Sequence, residues 1–209
     1  MKKTTEVLTY PSMSRILFTG RLFPNVPNDL IKAEKLIRKI LLVISGSVLI
    51  ALCAKIYVPL YPVPITMQTF GVFLIGLTYG WRLGGTTIAI YLFGGALGLP
   101  VFAKSGLGVA YLLGPTGGFL FGFFFAAIAC GWFAERGFDR SYAKLFISLV
   151  VGNIILYTLG LIWLGYIIGW EKPILELGFY PFLLGDLIKI FLVVILLPSV
   201  WKYVDRLKN

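Results

Sequence analysis

The chain contains no histidine. Imidazole is the usual neutral-pH proton switch and the commonest metal ligand, so histidine-based triads and His-ligated metal sites are excluded. Cysteine is nearly absent too. Cys53 and Cys130 lie in apolar runs without metal-type spacing and read as small buried hydrophobes. No Gly-Lys dipeptide occurs, which excludes a Walker A phosphate loop. If ATP drives this protein, another chain binds it. No cofactor and no metal is expected.

Charge is also scarce. Of 209 residues 13% are charged and 58% hydrophobic, whereas soluble domains carry about 25% and about 45–50%. The composition is that of an integral membrane protein whose main environment is the lipid bilayer. A net charge of +10 would raise nucleic acid as a partner in a soluble chain; here it reads as membrane topology, and no nucleic-acid partner is expected.

A bilayer-spanning helix needs about 20 mostly apolar residues. Six segments qualify, near 36–57, 66–80, 83–98, 116–135, 143–169 and 180–203. The expected fold is therefore an all-α membrane protein of six transmembrane helices over 36–203, with a polar tail over 1–35 and a short one over 204–209. The first strongly apolar run begins only near Ile40, too late for a signal peptide, so the N-terminal tail is expected to be retained. Pro59, Pro62 and Pro64 interrupt the first connection, because proline lacks an N–H and restricts the residue before it. The stretch "VFAKSGLGVAYLLGPTGG" reads as packed but non-helical, and "WEKPILELGFY" as an amphipathic cap.

Cytoplasmic segments are enriched in Lys and Arg. Fifteen of these residues fall on the side of both termini, against Lys55, Lys104 and Lys172 on the other, with Lys189 inside the last helix. Both termini are expected in the cytoplasm of a cell-membrane protein.

Asp186 and Lys189 stand three apart within "FLLGDLIKIFLVVILL". Residues at that spacing share a helix face, and ionisable residues inside a membrane helix mark function by default. They lie roughly 8 to 12 Å below the outer start of the helix at 1.5 Å per residue. The proline-rich loop and the glycine-rich stretch with Lys104 fall on that same side. An ion pair that only fixes packing is the alternative, but an isolated buried pair is costly to desolvate, and a polar ligand could supply further partners.

Other polar groups follow. In "PVPITMQTF", Thr66 can cap a helix and Gln68, an amide in lipid, needs a partner. Gly114, Gly118, Gly122, Ala126 and Cys130 recur every four residues on one stripe, and Gly122, Ala126 and Cys130 read as the small side chains that close helix packing in membranes requires. Gly114 to Gly118, with Thr116, leaves backbone amides free at a helix start, where they can hold an anionic or carbonyl group. Tyr157, one turn beyond Asn153, is the member of that pair closer to the outer side. Ser47, Ala51 and Ala54 form a small-residue patch on the first helix, suited to packing within the chain or to docking another subunit.

The motifs "PVPITMQTFGVFLIGLTYGWRLGG", "YLFGGALGLPVFA", "LLGPTGGFLFGF", "AERG" and "PFLLGDLIK", in that order, resemble the BioY family, the biotin-specific substrate-capture (S) components of energy-coupling-factor (ECF) transporters. The resemblance runs from about residue 45 to about 200. It implies an S-component bundle that captures biotin at an outward-open pocket, is not an enzyme, and works with a transmembrane coupling subunit and two cytoplasmic ATPases. The Asp and Lys of the family's GDxxK motif, here Asp186 and Lys189, belong to the biotin site, and small residues on the first helix, here Ala51 and Ala54, contact the coupling subunit. Biotin offers two ureido N–H donors, a carbonyl, an apolar thiophane and an anionic valerate. Asp186 can accept a ureido N–H, Tyr91, Phe102 and Tyr111 can line the ring pocket, and Lys104 can meet the carboxylate. An S component for another vitamin-like ligand is the main rival, and an intramembrane enzyme using Asp186 and Lys189 on a lipid is the remote one.

Overall fold

The computed structural model describes residues 28–208 apart from Ser105. The expected polar tail falls largely outside them. In chain order stand α1 (Asn28–Lys55), the strands β1 (Tyr57–Val58) and β2 (Ile65–Thr66), α2 (Gln68–Ala96), α3 (Gly108–Leu112), α4 (Gly117–Ala134), a 3-10 turn at Phe138–Arg140, α5 (Tyr142–Ile168), α6 (Ile174–Gly178) and α7 (Tyr180–Lys208). The described chain is thus nearly all-helical, and four segments are long and apolar enough to cross a membrane: Ala33–Lys55, Gly117–Ala134, Tyr142–Ile168 and Ile174–Tyr203.

The helix α2 is folded back on itself. Gly80 breaks it with φ 79° and ψ 172°, a conformation that glycine adopts without a Cβ clash. In a straight helix Gln68 and Tyr91 would stand roughly 34 Å apart at 1.5 Å per residue, yet their side chains are hydrogen-bonded at 2.7 Å. A Cβ added to Gly84 would lie 3.2 Å from Gly76 Cα, so the arms 68–79 and 81–96 run antiparallel in backbone contact. Each arm is shorter than a typical membrane span.

Successive helices therefore alternate in direction and define two faces. The terminal face holds the start of α1, the Gly80 turn, the α4–α5 turn and the end of α7. The loop face holds the β1–β2 ladder, the glycine-rich stretch and α6. On the terminal face Trp201 Nε1 donates to Asp139 Oδ2 at 2.7 Å, and the Arg140 guanidinium lies 4.4 Å over the Trp201 ring. Burial pushes the Asp139 carboxyl up to about 6, against the Trp201 hydrogen bond and the nearby Arg140 charge, which pull it down.

The helix α4 forms the centre, with 61% of its span buried against 22% for α1. Its small residues explain this. Gly122 brings α4 onto the Leu156 backbone of α5, and a Cβ on Gly118 would stand 2.2 Å from Trp163 Cβ. Cys130 Sγ donates to the Ser148 carbonyl, and Gly131 abuts the backbone of Trp81. The sequence-expected stripe is thus a packing surface against α5.

Some boundaries move. The second helix starts at Gln68 rather than 66 because Ile65 and Thr66 pair with Val58 and Tyr57. Met67, not Thr66, is the cap residue, although the Thr66 hydroxyl still accepts the Gln68 N–H at 3.2 Å. The glycine-rich stretch is not wholly non-helical, since Leu112 is buried and anchors the single turn α3.

Candidate functional site

Asp186 and Lys189 lie one turn apart on α7, each 5% exposed. Lys189 Nζ donates to Asp186 Oδ1 at 2.8 Å, to the Thr66 carbonyl at 2.7 Å and to Thr69 Oγ1 at 3.5 Å. The Tyr157 hydroxyl of α5 donates to Asp186 Oδ2. Both carboxylate oxygens and the ammonium are therefore engaged, which a buried ion pair requires if desolvation is to be offset. The β1–β2 ladder positions this arrangement by turning the Thr66 carbonyl toward α7.

A second set of polar groups continues from Thr66. Its hydroxyl is bonded to Gln68 Oε1 at 3.1 Å, Gln68 Nε2 donates to the Tyr91 hydroxyl at 2.7 Å, and Tyr91 donates to the Val101 carbonyl at 3.1 Å. Tyr157, Asp186, Lys189, Thr66, Gln68 and Tyr91 thus form one continuous chain of polar contacts just beneath the loop face. It can present a carboxylate, an ammonium, an amide and two phenols to a small polar ligand while fixing each donor's direction.

Aromatic rings flank this chain. Phe102 meets Tyr91 edge-on at 5.6 Å and stacks on Tyr111 at 5.1 Å. Gly95 makes room for it, since a Cβ there would fall 2.1 Å from Phe102 Cζ. Burial raises the Tyr111 phenol above its ordinary range, and Thr116 stands beside its hydroxyl. On the other flank Tyr157 meets Phe179 edge-on at 5.0 Å and Phe119 at 6.2 Å, and Phe119 stacks on Phe182.

Of the residues singled out in the sequence, Asp186, Lys189, Gln68, Tyr91 and Tyr157 are joined directly, with Phe102, Tyr111 and Thr116 alongside. Lys104 is exposed and its Nζ donates to the Leu60 carbonyl at 3.2 Å, tying the glycine-rich stretch to the proline-rich loop. The free-amide reading of Gly114 to Gly118 is corrected in part. The Gly117 N–H is bonded to the Gly114 carbonyl, which also accepts Trp163 Nε1 at 2.9 Å, so the run seats Trp163. On α1, Ser47 Oγ donates to the Thr87 carbonyl, Ala54 is fully buried and Ala51 half-buried.

Sequence reasoning missed Thr66 as a main-chain acceptor, the contact of Thr69 with Lys189, Phe119, Phe179 and Phe182, and the role of Lys55, whose Nζ donates to the Phe102 carbonyl at 2.8 Å. Phe182 carried a usable signal, lying one turn before Asp186 on the same helix face. The carbonyl of Thr66 carried none.

A profile of the BioY family matches residues 14–206. The chain belongs to the BioY family. A biotin transporter BioY from Thermotoga maritima is 42% identical over 144 residues, 69% of this chain and 84% of that protein. A probable biotin transporter BioY from Rickettsia prowazekii is 30% identical over 202 residues, 95% of this chain and 96% of that protein. The crystal structure of an S-component for biotin from an ECF-type ABC transporter superposes with a TM-score of 0.67 at 27% identity, covering 85% of this chain and 95% of the other. This BioY-family chain is a multi-pass membrane protein with an S-component fold, and its buried ion pair lies within the matched region.

Proposed function

We propose that this chain captures biotin with high affinity on the loop face and serves as the substrate-binding subunit of an ECF-type transporter. The observation that carries the reading is the continuous polar chain from Asp186 to Tyr91 in a BioY-family membrane protein. A ureido ring has two N–H donors and one carbonyl. Asp186 accepts one such N–H in exchange for a present partner, Gln68 and Lys189 serve the carbonyl, and the flanking rings take the thiophane. Tyr111, Thr116 and Phe102 line the ring pocket, and Lys104 at the exposed rim meets the valerate.

In this reading the two arms of α2 each cross the bilayer, making six crossings with α1, α4, α5 and α7. The excess of Lys and Arg that the sequence assigns to the side of both termini supports a cytoplasmic terminal face. A transmembrane coupling subunit docks on α1, whose outward side chains Leu41, Val48 and Leu52 are exposed, close to the half-buried Ala51. Ala54 supports that surface from beneath. Two partner ATPases supply hydrolysis, and the chain itself performs no chemistry on biotin.

Equilibrium binding of labelled biotin to the purified protein tests this. Saturable binding below micromolar concentration, displaced by unlabelled biotin and not by other vitamins, is expected. No saturable binding in that range overturns the assignment.

A further inference from the structure

On the terminal half of the molecule, away from the polar chain just described, a groove of about 430 Å³ runs between α1 and the second arm of α2. Ile40 and Ile44 of α1 and Leu83 and Ile90 of α2 form its walls, and the three isoleucines are about half exposed. Thr86, the polar side chain in the wall, spends its hydroxyl on the Arg82 carbonyl at 2.8 Å. One end of the groove differs from the rest. Lys39, from α1, and Arg82, from just past the Gly80 turn, both line it there. Two cations from separate helices thus converge on an apolar slot, Lys39 immediately before the apolar run of α1 and Arg82 two residues past the Gly80 turn. Arg82 lies 4.8 Å over the Trp81 ring, and among the described residues no carboxylate is paired with either cation.

An apolar slot roughly 12 Å long, from Arg82 to Ile90 at 1.5 Å per residue, with paired cations at its interfacial end, is complementary to an acyl chain bearing an anionic headgroup. Basic pockets between membrane helices bind such headgroups, because each Lys or Arg near the leaflet attracts anionic lipid. We infer that this groove is a site for one anionic phospholipid, its phosphate between Lys39 and Arg82 and one acyl chain along Ile40, Ile44, Leu83 and Ile90. The site does not depend on what the opposite face binds. Lipid held there covers the slot between α1 and α2 and closes the least buried helix of the bundle against its neighbour.

Native mass spectrometry of the detergent-purified protein, titrated with phosphatidylglycerol or with phosphatidylcholine of the same acyl chains, tests this. One phosphatidylglycerol is expected to remain bound at lipid concentrations where phosphatidylcholine does not. The double variant Lys39→Gln/Arg82→Gln should need roughly thirtyfold more phosphatidylglycerol for the same occupancy, with an unchanged Tm in lipid-free detergent. Arg136→Gln removes an exposed cation of the same face outside the groove and should bind as the parent does. Equal retention of the two lipids, parental affinity in the double variant, or an equal loss in Arg136→Gln each overturns the site. The first of these is also the outcome expected if the groove receives a partner's helix instead of lipid.

Discussion

The Lys189 ammonium donates to the Thr66 carbonyl at 2.7 Å, joining α7 to the end of the β1–β2 ladder across 123 positions of the chain. The same ammonium holds Asp186 at 2.8 Å. One cation therefore couples the loop to the carboxylate, and disturbing either residue is felt in both.

Replacing Asp186 with Asn keeps the shape and removes the charge. A hydrogen bond to a charged group is worth about 1.5–3 kcal/mol, so biotin affinity should fall at least about tenfold in equilibrium binding. Unchanged affinity in a folded variant would remove Asp186 from the site.

Replacing Lys189 with Met leaves the Asp186 carboxylate buried without its cation, a change that costs about 3–5 kcal/mol when a buried pair is broken. The double variant Asp186→Leu/Lys189→Met removes both charges and should recover much of that stability in a detergent thermal melt, while biotin binding stays lost in both. Similar Tm losses in the two variants would argue that the pair is not coupled.

Phe102 rests on Gly95 with no space for a methyl group, the added Cβ falling 2.1 Å from Phe102 Cζ. Overpacking of this kind costs about 1–3 kcal/mol. Gly95→Ala should displace Phe102 and weaken biotin binding several-fold, while Gly98→Ala, whose Cβ would meet nothing within 4 Å, strains only its own backbone at φ 94° and should affect binding less.

Asp139 provides a pH-dependent contribution on the terminal face. Its folded-state value near 6 lies above the ordinary 3.8 because burial dominates. The folded form thus binds more protons than the unfolded one between those values, and stability falls as pH rises from about 4 to about 6. The size is on the order of 2 to 3 kcal/mol at 1.36 kcal/mol per pH unit. Asp139→Asn, which still accepts from Trp201, should flatten that part of the stability profile measured by unfolding in detergent. A parental slope in the variant would exclude Asp139 as its source.

Composition and local pattern were enough to determine the solvent, the helical class and the pairing of Asp186 with Lys189, while the family came from the resemblance of five motifs in order. Hydropathy integrates over some twenty residues and a helical i,i+3 pair is a local geometry, so neither needs the rest of the fold. Gln68 could be recognised as an amide requiring a partner, but not that the partner is Tyr91. That contact depends on Gly80 reversing the chain between them. The Thr66 carbonyl, the Lys55 contact with Phe102 and the ring cluster of Phe119, Phe179 and Phe182 were likewise decided by tertiary structure. Main-chain acceptors have no sequence signature, and which aromatic faces meet depends on how α4, α5 and α7 cross. The sequence by itself determined which groups would need partners in the membrane. Only the packing of helices distant in the chain decided which partners they found, because hydrogen bonds act over about 3 Å and it takes the folded bundle to bring such groups within reach.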